Sequence, residues 1–350
     1  VTIDTDKEVA VVHNGSTAGG FPLARADQTL ALAGGTMAGT FTVGVDDTGY
    51  DVKFFGATAS RHMTWDESAD SLIISGDLDV NDGTIKLDGN YPVGTNNVAL
   101  GNTALDDGSL SGNNNTAIGK ATLTGNTSGG ENTAVGTNAL QTNSTGSSNV
   151  GLGANALSAN TTASSNTAVG YQAAYTNVTG QVEAFGYQAL HKNTGNYNQA
   201  FGYQALFTNT SGASNIAMGR GAVQLNTTGS NNVGIGFQAL VNNTTASNNT
   251  AVGHQAGLSN TTGAENVANG VQALYSNTTG GYSTAVGYRA LFYNTTASNN
   301  TAVGYQAGYA NTTGTPNVWV GYLAGNDATT ATENTFIGQR AGENYTTGGI

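Results

Sequence analysis

Beyond residue 95 the apolar and polar positions recur about every 17 residues, not every 3.6 as on a helix face. One glycine marks the repeat, at positions 101, 119, 136, 153, 170, 186, 202, 219, 236, 253, 270, 287, 304, 321 and 338. Aligned on it, the unit reads N-T-A-V-G-Y-Q-A-L-x-x-N-T-T-G-x-x, as in Asn300-Thr301-Ala302-Val303-Gly304-Tyr305-Gln306-Ala307 followed by Asn311-Thr312-Thr313-Gly314. Counting from the glycine as zero, a large apolar residue fills position −1 in 14 of 15 units, from Leu100 to Ile337, with Asn269 as the exception. Ala fills +3 in 14 units, Thr122 excepted; Asn fills −4 in 13 and +7 in 12. The +7 Asn opens an Asn-Thr-Thr-Gly or Asn-Thr-Thr-Ala turn, suited to residues that tolerate left-handed backbone. The two 16-residue steps and the one of 18 have their indels in turns, so the apolar columns keep register.

Seventeen residues are too few for a two-helix repeat, and Gly, Asn and Thr disfavour helix. The period suits one coil of an all-β parallel solenoid, whose strands stack at about 4.8 Å, so fifteen coils give a rod of roughly 70 Å. Identical residues then stack, and the Asn columns, among them Asn132, Asn149, Asn166, Asn249, Asn266 and Asn300, form structural amide ladders. Each coil has about one Val or Ile, one or two Ala and one Leu to bury, a thin core. The expectation is that a second face is buried against other copies of the chain, around a threefold axis.

The first 94 residues carry a different pattern. Lys7 to His13 reads as a strand with Val9 and Val11 on one face, Asn14-Gly15 as a hairpin turn, and Phe21-Pro22-Leu23 as the close of a small module over residues 1–26. Residues 27–94 read as a β-rich connector, with short strands at 40–43, 51–55, 61–65, 71–74 and 84–87. The solenoid occupies 95–350.

The unit N-T-A-V-G-Y-Q-A resembles the head repeat of trimeric autotransporter adhesins (YadA-like), with its S/N-x-A-I/V-G-x-x-A motif. The resemblance covers residues 96–350 and implies a left-handed, homotrimeric parallel β-roll. The unit here is longer by its Asn-Thr-Thr-Gly turn, and nothing resembles the neck, heptad stalk or anchoring barrel of those adhesins. Residues 6–23 are similar to N-terminal β modules of phage tropism determinants and tail fibres, and residues 51–70 to a segment of phage virion fibre proteins. Together these imply a fibre on the virion surface, joined to other virion proteins through its N-terminal region and facing a host cell-surface glycan or protein. A bacterial trimeric surface adhesin is the alternative.

Composition narrows the classes further. There are 51 Gly, 42 Asn, 3 Pro and no Cys, with 15 Tyr and 10 Phe, which argues against disorder, collagen and a disulfide scaffold. The net charge of −12 falls as −9 on residues 1–95 and −3 on the rest. Few and scattered Lys and Arg leave no footprint for nucleic acid. No apolar run reaches the roughly 18 residues of a membrane helix, so no membrane insertion is expected. The start, Val1-Thr2-Ile3-Asp4, is neither an initiator Met nor a signal peptide and reads as a processed or partial product.

Candidate chemistry is sparse. Tyr171, Tyr187, Tyr203, Phe237, Tyr288, Tyr305 and Tyr322 at +1, beside a Gln column at +2, suit contact with surface sugars; covering the solenoid or filling a subunit interface explains them more simply. Asp77, Asp79, Asn81 and Asp88 partly match a calcium loop, but Asp82 stands where glycine is needed, so an acidic turn is the plainer reading. Gly151-x-Gly153-x-x-Ala156 and Gly234-x-Gly236-x-x-Ala239 match a dinucleotide fingerprint only through the repeat, so no cofactor is expected. A polysaccharide-degrading tailspike needs two facing carboxylates, and the eight solenoid acids are mostly one per coil. An ice-binding solenoid needs a flat Thr face, whereas these Thr sit in turns. The reading is a non-enzymatic structural fibre.

Overall fold

A computed structural model describes residues 95–178 and 180–348, together with the backbone of six strands among residues 1–94. The chain divides into two compact units, Val1–Ile85 and Lys86–Ile350. In the first, β1 (Thr2–Asp4), β2 (Val9–Val12) and β3 (Phe21–Pro22) form one antiparallel sheet, with Val11 opposite Pro22 and Val12 opposite Phe21. A second antiparallel sheet joins β4 (Val52–Phe55), β5 (His62–Asp66) and β6 (Ser71–Ser75). The strands expected at 40–43 and 84–87 and the Asn14-Gly15 turn lie outside the described residues.

The second unit is a parallel β-solenoid. Fifteen strands, β7 (Val98–Leu100) through β21 (Asn334–Ile337), pair in chain order as one sheet, and there is no helix among the described residues. Equivalent residues stack in register, as in Thr284 on Thr301, Ala285 on Ala302 and Val286 on Val303. The marker glycine ends each strand with φ between 126° and 145°, a conformation essentially restricted to glycine. A Cβ on any of these glycines from Gly101 to Gly321 would lie 2.3–2.8 Å from backbone atoms of the next marker glycine. Backbone conformation and close stacking therefore both require the residue.

The turn after it is left-handed at +2 and +4, as in Gln306 (φ 50°) and Leu291 (φ 51°). A left-handed Leu costs about 1–2 kcal/mol. Full burial of that side chain contributes about 1.5–3 kcal/mol, enough to offset the cost; Leu105, Leu140 and Leu291 are wholly buried.

The inward columns are −4, −2, +3, +4, +7 and +10. This corrects the expectation that the Val or Ile at −1 fills the core. Strand side chains alternate, and with Asn −4 pointing inward, Ala −2 also points inward while −1 points out. Ala134, Ala168 and Ala285 are wholly buried, whereas Leu152 is 45% and Met218 39% exposed.

All 25 Asn of columns −4 and +7 are buried, and they bond as two ladders. In the −4 column, Asn149 Nδ2 donates to Asn132 Oδ1 at 3.1 Å and Asn166 Nδ2 to Asn149 Oδ1 at 2.9 Å. The same Oδ1 atoms accept backbone N–H groups, as Asn132 Oδ1 does from Asn149 N and Asn149 Oδ1 from Asn166 N, each at 3.0 Å. In the +7 column, Asn226 Nδ2 donates to Asn209 Oδ1 at 2.6 Å and Asn243 Nδ2 to Asn226 Oδ1 at 2.9 Å. Both columns also meet on one turn carbonyl: Gly146 O accepts Asn132 Nδ2 and Asn143 Nδ2, each at 2.9 Å. Where Val182 replaces Asn, Asn198 loses its partner below and donates across to Asn193 Oδ1 of the other ladder at 3.1 Å.

Core volume is balanced between neighbouring coils. Trp319 occupies a −2 site where most coils have Ala and is wholly buried. The +4 residues beside it are Gly308 and Gly325, where a Cβ would meet the Trp319 ring at 2.5 and 2.1 Å. Phe336 and Gly342 repeat the exchange, with a Cβ at Gly342 falling 2.4 Å from the Phe336 ring.

Two outcomes follow for stability. Gly304→Ala, which combines forbidden φ with overpacking, lowers unfolding free energy by about 2–5 kcal/mol in urea titration. Trp319→Ala costs about 3–5 kcal/mol through its cavity. Adding Gly308→Leu and Gly325→Leu restores the usual column residues and recovers most of that loss.

Candidate functional site

The glycine bend turns residue +1 outward at every coil, so the aromatic residues named above form one row. Tyr171, Tyr187 and Tyr203 stack face to face with centroids 5.3 and 5.1 Å apart, and Tyr288, Tyr305 and Tyr322 at 5.2 and 5.3 Å. Between these blocks the row continues as Arg220, Phe237, His254 and Val271. The Arg220 guanidinium lies 5.5 Å from the Tyr203 ring centre and 6.0 Å from that of Phe237, and Phe237 stacks on His254 at 5.3 Å. A cation placed between two π faces keeps the stack attractive where an aromatic is missing.

Beside this row runs a third amide ladder, at +2. Gln188 Nε2 donates to Gln172 Oε1 at 2.8 Å and Gln204 Nε2 to Gln188 Oε1 at 3.0 Å. Gly221 interrupts the column, and Gln224 reaches in from +5 to bond Gln204 Oε1 at 2.9 Å. At the other end Arg289 Nε donates to Gln272 Oε1 at 2.8 Å, while its guanidinium covers Tyr288 and Phe292 at 5.1 and 5.2 Å.

The −1 row is the other outward feature. Of the 23 large hydrophobic residues that remain exposed among the described residues, eight stand at −1 and eight at +1. Two residues separate the rows along the chain, so their backbones lie within about 7 Å.

A second aromatic row, at +5, is half-buried: Tyr175, His191 and Phe207 stack at 5.2 and 5.0 Å, and Tyr275, Phe292 and Tyr309 at 4.9 and 5.4 Å. Sequence reading passed over it, although its members recur with the same 16- or 17-residue step. Burial, then a hydrogen bond with Tyr293, raises the Tyr309 hydroxyl above its ordinary range. Burial, reinforced by the charge of Lys192, lowers the His191 imidazole below 6.5, and its Nδ1 has no hydrogen-bond partner. At Asp107, the Ser109 hydroxyl and then its N–H hold the carboxyl below the usual range.

The structure places the ladder residues Asn132, Asn149, Asn166, Asn249, Asn266 and Asn300 inside the solenoid, at most 5% exposed, where they touch only neighbouring coils and turn carbonyls. Asp77, Asp79, Asn81 and Asp88 lie outside the described residues. Among the described residues no group of three or more His, Asp or Glu is placed to hold a metal ion, and no helix is long and apolar enough to cross a membrane.

The chain bears a partial likeness to a known phage protein. A tail fiber receptor-binding protein of Bordetella phage BPP-1 is 35% identical over 109 residues, covering 27% of this chain and 28% of that protein. The chain thus spans less than a third of that relative's length. No family model and no solved structure matches.

The half-buried His191 gives stability a pH dependence. Its folded pKa lies below the unfolded value, so the unfolded chain binds the proton more readily, and stability present above pH 6.5 declines as pH falls through that window. Melting temperature is expected to drop between pH 7.5 and 5. His191→Phe, which continues the Phe207 stack, should make that drop smaller.

Proposed function

We propose that the chain is a rigid, homotrimeric rod of a phage tail fibre, exposed on the virion surface and supporting attachment to a host cell-surface glycan or protein. The partial match to a tail-fibre receptor-binding protein carries this reading, joined to a fifteen-stranded parallel solenoid that bears few charges. The rod follows the YadA-like β-roll plan, with the −1 rows of three copies facing one another. The aromatic row two residues further on covers the flank of that seam. Residues 1–26 join other virion proteins, and 27–94 connect them to the rod. Three parallel copies present each weak contact three times, so effective concentration substitutes for single-site affinity.

The position of the acids supports a non-enzymatic role. Glu131, Glu265 and Glu333 share column −5, but eight and four coils apart, roughly 38 and 19 Å at strand spacing. Glycoside hydrolysis needs two carboxyls about 5–9.5 Å apart. Asp327 and Glu343 are nearer, on adjacent coils joined by an Asp327 N to Glu343 O bond of 2.9 Å, but Glu343 is paired with Arg340 at 3.6 Å. Neither a cofactor nor nucleic acid enters this function.

Light scattering of the purified chain is expected to give the mass of three chains, with the sedimentation of an elongated particle. Antibody to residues 95–350 is expected to decorate fibres on purified virions and to block adsorption. A compact monomer would overturn the trimeric rod. Antibody that labels a bacterial envelope instead of virions would favour the surface adhesin.

A further inference from the structure

A seam between repetitive rods raises a problem of register. Sliding one copy by a coil moves it about 4.8 Å, and almost every −1 residue then meets a residue like the one it left. Apolar contact is non-directional and does not oppose the slip. The slip uncovers one coil of fifteen at each end. A polar group at one level of the row would oppose it, because the group has partners only when the copies are aligned.

The −1 row contains one such residue. Asn269 stands in β17 (Val267–Asn269), paired in register with Val252 on one side and Val286 on the other. It is exposed, and its side-chain amide makes no hydrogen bond within the described residues, unlike the Asn of the two ladders. The same coil also breaks the neighbouring row, where Val271 interrupts the stack between His254 and Tyr288. Two outward columns thus break their pattern at one level.

We infer that Asn269 is the register pin of the assembly, the level at which sister chains recognise one another in alignment. The inference rests on the homotrimeric reading above. The occupant is a second copy of this chain, for three reasons. Matching a 17-residue row requires another row of the same period. The −1 row bears no charge and so suits itself. The two outward rows hold 16 of the 23 large hydrophobic residues exposed among the described residues, an apolar surface of the kind that subunit contacts cover. In register, the three Asn269 amides lie at one level, each donating to the next and accepting from the one before. One coil out of register, each faces the sister's Val252 or Val286 and is buried without a partner.

The chain has no cysteine, so introduced ones report register directly. Val303→Cys and Val286→Cys chains are co-expressed and oxidised, and disulfides are mapped by mass spectrometry. Neither residue fills the core of its own coil. With Asn269 present, 303–303 and 286–286 bridges should exceed 286–303 bridges by about fivefold or more, since a disulfide needs Cβ atoms about 3.5–4.5 Å apart. In Asn269→Val, which matches its stacked neighbours, the mass should stay trimeric while 286–303 bridges rise to parity. Retention of the fivefold preference in Asn269→Val would overturn the pin and leave the trimer standing. Trimeric mass without any of these bridges would overturn the placement of the −1 row. A monomer would overturn the trimer itself and the pin with it.

Discussion

Twenty-five asparagine side chains lie inside this solenoid, where an ordinary core would be apolar. A buried amide left without partners costs about 1–3 kcal/mol, so a column of them is tolerable only if each is satisfied. Stacking at strand spacing does this almost throughout: one N–H goes to the Oδ1 of the coil before, the other to a turn carbonyl, and Oδ1 takes the donor of the coil after; the +7 ladder breaks above Asn160, whose Oδ1 is left without a partner. The turn carbonyls, which could not otherwise be buried, are satisfied by the same bonds. The amide ladders therefore hold both the period and the alignment of coils. A coil with an altered length between its two Asn would break both ladders at once.

The rest of the cross-section follows from that alignment. With Asn −4 pointing inward, Ala −2 is inward and −1 outward, and the marker glycine must bend the chain where neighbouring backbones leave no room for a Cβ. The interior left over is narrow, which explains the predominance of Ala. It also explains why Trp319 is accommodated only beside two glycines. Apart from the Leu of column +4 and a few others such as Trp319, large apolar and aromatic side chains are consequently carried toward the outside. There the aromatic ones stack on their own kind along the axis.

Much of this was legible in sequence. The period, the strand and turn positions, the parallel stacking and the two Asn ladders follow from residue columns, because a repeat of one unit must bring equivalent residues together. Less legible was which apolar column faces in: Val303 and Ala302 are neighbours, and hydrophobicity alone favours burying Val. The +5 aromatic row and the way Gln224 bridges the gap at Gly221 were also hidden, since each depends on how a turn folds back over its neighbour.

By itself the sequence determined the architecture of residues 95–348, because periodicity is a one-dimensional property that converts directly into stacking. Only the tertiary structure decided which face is core and which stays exposed. That choice depends on strand alternation set by the inward amides and on close backbone approach at the marker glycine, and neither is a property of any residue alone. The same decision turns Asn269 from an exception in a column into an unpartnered amide on the outer face.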